Sequence, residues 1–252
     1  MAEVAARALL AGVLFGCVLP AHATPFGEAM EAIKSNDCQT LGDVVNRHLD
    51  TSTPVKYLVG AMFEEGLCVE RDLAKAARYY ALADEGKSAD AARDMGFEYV
   101  TGVHLPRSYT RAGAWFAKSL MIRREGSSEL KFPAGIPALP VPGASPGSEW
   151  AGYLMSVGFI ASRTQRYPGE ALRLRTEGEF VAKVCVHDGT VRTTAVMVQP
   201  GPSGGVATLQ GKREILTGIE ENYEKVLTSM PPPVEPAPGP MCFHQPLNFR
   251  IR

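Results

Sequence analysis

The sequence predicts a multidomain chain: an all-α helical-repeat solenoid followed by a small α+β domain with an antiparallel three-stranded sheet. Three observations carry that expectation. The stretch FEEGLCVERDLAKAARYY, beginning at position 63, returns in altered form as YVTGVHLPRSYTRAGAWF, beginning at position 99. A joint dense in proline and glycine, GSSELKFPAGIPALPVPGASPGSE, begins at position 126. After Tyr167 the apolar spacing changes from the helical period to the alternation of a strand.

The chain has 252 residues, 45% of them apolar and 21% charged, which is ordinary for a globular protein. A net charge of −1 without a long run of one sign points away from nucleic acid and from an anionic membrane surface. The first 23 residues, MAEVAARALLAGVLFGCVLPAHA, combine a short head carrying Arg7, an apolar run and a small-x-small end. That is the pattern of a secretory signal peptide, with a run shorter than a membrane span requires. Leu14-Phe15-Gly16-Cys17 offers a rival reading as a lipoprotein site, although Phe15 is unusual there. Removal of residues 1–23 leaves Cys38, Cys68, Cys185 and Cys242, and four cysteines in an exported chain suggest two disulfides.

The helical region is expected over residues 24–125. Its elements can be read from caps and stops. Thr53 and Pro54 read as an N-cap followed by proline in the first turn. Gly66 supplies a left-handed stop, Asp72 caps the next helix, and Gly86 stops it. One repeat later Gly102 stands for Gly66 and Ser108 for Asp72. Gly60, Gly96, Ala76 and Ala112 are small enough to let helices approach, and Phe63, Tyr79, Tyr99 and Trp115 fill the space between them. Residues 26–35 and 40–49 read as a shorter, divergent helix pair. A period between 20 and 50 residues is the signature of stacked supersecondary units, each burying its face only against the next.

Val59-Gly60, Phe63, Gly66, Val69, Asp72, Lys75-Ala76 and Tyr79 together resemble the Sel-one-like repeat, a relative of the tetratricopeptide repeat. Cys68 and His104 depart from it, replacing a glycine of the pattern. The resemblance covers about 53–125 and implies an adaptor surface without catalysis.

Residues 126–148 read as a semi-extended linker, and 149–162 as a short helix with Trp150, Leu154 and Phe159 as its large apolar residues. The rest of the 149–252 region is expected to be α+β. Phe180, Ala182, Val184 and Val186 alternate with Glu179, Lys183, Cys185 and His187, and Val181 alone breaks the alternation. Asp188-Gly189 is a hairpin turn, 191–199 the return strand, 209–229 a helix, and 241–251 a last strand. Tyr167-Pro168, Ala171, Gly178, Asp188-Gly189, Val191 and the closing Pro246-Leu247-x-Phe249, in that order, resemble the C-terminal domain of TonB. The resemblance covers about 166–252. It implies that the first and last strands are antiparallel neighbours and that the last strand lies at a sheet edge open to an extended peptide. Phe243, Gln245, Leu247, Phe249 and Arg250 are then the partner-binding candidates. The short, nearly uncharged linker and the cleavable N-terminus depart from an energy transducer.

With those strands adjacent, Cys185-x-His187 and Cys242-x-His244 fall on one face. A Cys185–Cys242 disulfide is one reading, and a Cys2His2 metal site or free thiols are the others. Cys38 and Cys68 lie at turns of successive units and are candidates for a second bridge. His48 and His104 read as a helix-face and a loop residue.

No catalytic set is expected. Gly201-Pro202-Ser203-Gly204-Gly205 matches Gly-x-Ser-x-Gly by letter, but prolines flank it and no helix follows directly. Asp43 and Asp50 read as a solvated face, Glu64-Glu65 and Glu220-Glu221 as exposed pairs without an obvious partner acid or base, and Ser156 and Ser162 have no neighbouring histidine in sequence. The expectation is therefore an exported periplasmic adaptor without cofactor. Its partner is a periplasmic or outer-membrane protein, with a TonB-dependent transporter among the candidates, and it meets the membrane only if its N-terminus is retained or lipidated. The alternatives are a membrane-anchored TonB-type energy transducer and a Cys/His metal-binding or redox-sensing protein.

Overall fold

A computed structural model describes residues 24–126, 148–200, 209–237 and 239–251. The expected signal peptide, Cys17, nearly all of the linker and the Gly201–Gly205 motif lie outside the described residues. Among the described residues the chain is mostly helical, with nine helices and one three-stranded antiparallel sheet near the C-terminus.

Six helices come first: α1 (Pro25–Lys34), α2 (Cys38–His48), α3 (Thr53–Glu65), α4 (Leu73–Asp84), α5 (Ala89–Thr101) and α6 (Tyr109–Gly126). They pack as successive pairs. The sequence similarity of the second and third pairs carries over to their hydrogen bonds. The Gly66 N–H donates to the Met62 carbonyl, and the Gly102 N–H to Glu98. The Asp72 N–H donates to Phe63, and the Ser108 N–H to Tyr99. Gly66 and Gly102 both take positive φ, 74° and 65°, as left-handed helix stops do. Close approach explains the other repeated glycines: a Cβ on Gly60 would lie 2.3 Å from the Tyr80 ring, and one on Gly96 2.5 Å from the Phe116 ring.

Two caps differ from expectation. Ser52, not Thr53, caps α3, accepting from the Val55 N–H at 3.4 Å, because the serine one residue earlier already reaches the free amides. Gly86 is not the left-handed stop; Lys87 carries the positive φ (42°). Gly86 is small for a different reason, since a Cβ there would meet the Thr53 hydroxyl at 2.2 Å.

Helix α7 (Ser148–Thr164) packs on α6, on the sheet and on α9 (Leu209–Ser229). It runs parallel to α6. Glu149 at its start meets Ser108, Tyr109 and Thr110 at the start of α6, and further along Phe159 stacks on Phe116 at 4.2 Å. A five-residue helix, α8 (Gly169–Arg173), leads into β1 (Gly178–His187), β2 (Thr190–Pro200) and, after α9, β3 (Met241–Phe249). The strand order is β2-β1-β3, with both pairings antiparallel. Asp188 and Gly189 both take positive φ in the β1–β2 turn, the conformation that matches strand twist in a two-residue hairpin. Phe180, Ala182, Val184 and Val186 face inward beside Phe243, Leu247 and Phe249; α7 packs over β3 and β1, and α9 over β2, with Ile215, Ile219, Tyr223 and Val226 in the same buried core. The apolar core is continuous from α1 to β3.

Candidate functional site

Both candidate disulfides are formed, Cys38–Cys68 and Cys185–Cys242. The second bridge fixes the polarity of β3. Cys185 and Cys242 face each other across the ladder with their Cα atoms 4.0 Å apart. That close spacing marks a pair that exchanges no backbone hydrogen bonds, so their N–H and C=O groups point away from the shared ladder. The same parity places Cys242, His244, Pro246 and Asn248 with their backbone groups turned outward from β1. Pro246 agrees with it, because a residue without an N–H costs the ladder nothing at an outward position.

The two outer edges of the sheet are not equivalent. On β2 the Ala195 N–H, which the parity also turns outward, donates to the Glu220 carboxylate of α9 at 3.2 Å. On neither β2 nor β3 does a strand pair with the outer side among the described residues, and no helix side chain is seen bonded to an outward amide of β3. One acceptor there is covered locally: the Gln245 side-chain amide donates to the Pro246 carbonyl at 3.1 Å.

The structure divides the expected partner-binding residues into two sets. Phe243, Leu247 and Phe249 are buried, their side chains in the core and their backbone groups directed at β1. Gln245 is half-buried. Arg250 is exposed, donating to the Asn248 side chain at 3.1 Å and lying 3.7 Å from Glu179. The outward backbone groups belong to the alternate residues, which could be found in the sequence only after the Cys185–Cys242 register was known. Proline at Leu247 or Phe249 would therefore break the β1–β3 ladder itself.

The Cys-x-His pairs do share a face, but the two sulfurs are bonded to each other, which removes both thiolates a Cys2His2 site needs. The histidines lie on opposite sides of the bridge, His244 across from Lys183 and His187 across from Thr190. Among the described residues no group of three or more His, Cys, Asp or Glu could hold a metal ion.

Glu64 and Glu65 are not the exposed pair the sequence suggested. They are largely covered, and they accept from the Tyr80 hydroxyl at 2.6 Å and the Tyr99 hydroxyl at 3.2 Å. Arg111 of the next helix pair reaches both carboxylates. Burial, more than any charge, raises the tyrosine pKa values above their ordinary range. The cluster joins α3, α4, α5 and α6 and leaves no free base. Glu220 is exposed but partnered through Ala195. Asp43 and Asp50 are exposed as expected. His48 is half-buried in the last turn of α2. His104 bonds Glu98 at 2.6 Å and lies 3.9 Å from Glu31, tying its loop to α1. The Ser156 and Ser162 hydroxyls donate to the Gly152 and Phe159 carbonyls.

Beside β3 lies a groove of about 440 Å³ that no sequence pattern announced. Residues 243–246 form one wall, and α5, α6 and α7 form the other with Arg93, Arg123, Ser162 and Arg163. Asp90 binds Arg93 at 2.7 Å and Arg123 at 2.8 Å, and Asp94 lies 3.3 Å from Arg93. Arg163 sits over the Phe97 ring at 4.8 Å and has no carboxylate partner among the described residues.

Comparison of the chain with protein-family models, with curated proteins and with solved structures returned no match. Among the described residues no helix is long and apolar enough to cross a membrane.

Proposed function

We propose that the protein is an exported periplasmic adaptor. Its helix pairs stack as a short solenoid whose surface holds one protein, and β3 accepts an extended segment of another. The observation that carries this reading is the inequality of the sheet edges. Among the described residues neither outer edge has a strand beside it; Glu220 of α9 occupies an outward amide of β2, whereas the covered outward group of β3 is a carbonyl held by the Gln245 side chain. Strand addition at such an edge gains affinity from backbone hydrogen bonds and specificity from alternate side chains. The two disulfides suit an oxidising compartment. The likeness to Sel-one-like repeats and to the TonB C-terminal domain lends the same division of labour. A TonB-dependent transporter or another outer-membrane or periplasmic protein is the kind of partner it suggests.

The test is amide hydrogen exchange on the full chain, with and without a panel of extended peptides. Strand addition slows exchange at Cys242, His244 and Asn248. It leaves the amides of Phe243 and Gln245 nearly unchanged, because they already bond to β1. A saturating peptide that leaves the first three amides unprotected would sink the reading.

A further inference from the structure

We infer that the groove beside β3 selects an acidic peptide, with Arg163 as the anchor for one carboxylate. The inference rests on the strand-pairing reading and names the chemistry of the segment that pairs.

The placement is the first support. The groove shares residues 243–246 with the open strand, so a chain pairing with the outward groups of Cys242 and His244 runs along its mouth. Side chains of an added strand alternate between the two faces of the sheet. On the core face β3 sets Phe243 against α7, so closely that a Cβ on Gly158 would lie 2.2 Å from its ring. A side chain of the added strand on that same face enters the groove beside the end of α7, where Ser162 and Arg163 stand.

The charge is the second support. Among the described residues no acidic side chain lines the groove. Asp90 bonds Arg93 and Arg123, and Asp94 lies 3.3 Å from Arg93. Arg163 is held over Phe97 and has no carboxylate partner among the described residues. The Arg93 Nε is a further buried donor that no acceptor meets. A planar guanidinium stacked on a ring keeps its donors in a fixed fork, and a carboxylate matches that fork. Aspartate or glutamate in the incoming strand completes the arrangement, and lysine there meets like charge.

The experiment uses the full oxidised chain and fluorescent eight-residue peptides of alternating valine and threonine. One central position is glutamate, glutamine or lysine, and binding is read by anisotropy. The glutamate peptide is expected to bind about tenfold more tightly than the glutamine peptide, the low end for a charge-assisted contact at a partly wet site. Arg163→Gln should erase that difference and leave the glutamine peptide unchanged. Raised salt should narrow the difference in the same way. Equal binding of the glutamate and glutamine peptides, or a preference that survives Arg163→Gln, overturns the inference and leaves strand pairing standing. A glutamate preference that survives N-methylation of alternate peptide amides supports the anion site and overturns strand pairing. Failure of every peptide to bind overturns both.

Discussion

The Tyr109 hydroxyl of α6 donates to the Pro231 carbonyl at 2.7 Å, joining residues 122 positions apart. It has two neighbours of the same kind. The Trp150 indole N–H donates to the Glu235 carbonyl at 2.8 Å, and the Tyr153 hydroxyl to the Met230 carbonyl at 3.3 Å. Three aromatic donors thus fasten the proline-rich segment after α9 to the helices. Prolines leave such a segment few amides with which to bond itself, so its carbonyls are open to side-chain donors. Tyr109→Phe removes one of these bonds and leaves the ring contact with Tyr153. The expected loss is about 1 kcal/mol, with amide exchange rising at Val234 and Glu235 before it rises in β1. A urea midpoint unchanged from wild type would contradict this.

Gly152 marks a close backbone approach of α7 to α6. A Cβ there would lie 1.9 Å from the Tyr109 carbonyl oxygen. The obstacle is backbone, so no rotamer change relieves it. Gly152→Ala should cost about 3 kcal/mol and should also disturb the Glu149 cap, whose carboxylate accepts from the Thr110 N–H at 3.0 Å. Gly42 in α2 is the control, because a Cβ there meets nothing within 4 Å. Gly42→Ala should stabilise by about 0.5–1 kcal/mol through helix propensity. Thermal unfolding of the two variants should move in opposite directions; movement in the same direction would show that the α6–α7 contact yields to a methyl group.

The sequence shows most clearly what is local. Asp72 as a cap, Gly66 and Gly102 as stops, and the Asp188-Gly189 turn all act within a few residues, and each stands as expected. Helix α9 and the alternation in β1 were legible because their periods repeat. The five residues of α8 were too few to show a period. The groove was hidden for a different reason. Arg93, Arg123, Arg163 and His244 come from four elements, and nothing in the spacing of α5, α6 or α7 says which ends meet. Glu149 lies in the first turn of its own helix, yet its carboxylate caps α6, because α6 and α7 run parallel. Glu64 and Glu65 looked exposed because their partners Tyr80, Tyr99 and Arg111 lie on other helices.

The two disulfides should contribute unequally. Cys38–Cys68 spans 30 residues and Cys185–Cys242 spans 57. Chain entropy assigns them about 3.6 and about 4.2 kcal/mol respectively. The shorter loop ties α2 to the turn after α3, and the longer one ties β3 to β1. Replacing Cys185 and Cys242 by serine should therefore lower the urea midpoint at least as far as replacing Cys38 and Cys68. It should also raise amide exchange along β3. A double variant that keeps β3 protected would show that Phe243, Leu247 and Phe249 hold the strand without the bridge.

His244 gives stability a dependence on pH. Partial burial, and then the charge of Lys183, hold its pKa below the ordinary 6.5. The unfolded chain therefore takes up this proton before the folded one does. The resulting stability is complete above about pH 6.5 and is lost as the pH falls toward the lower folded value. The loss is small, because the imidazole remains partly wet. His244→Gln removes the titration and keeps a polar group beside Lys183. Urea midpoints measured from pH 7.5 down to 5.5 should fall further for the wild type than for the variant. Parallel curves would mean that protonation of His244 does not strain the fold, and that another group sets whatever acid sensitivity is seen.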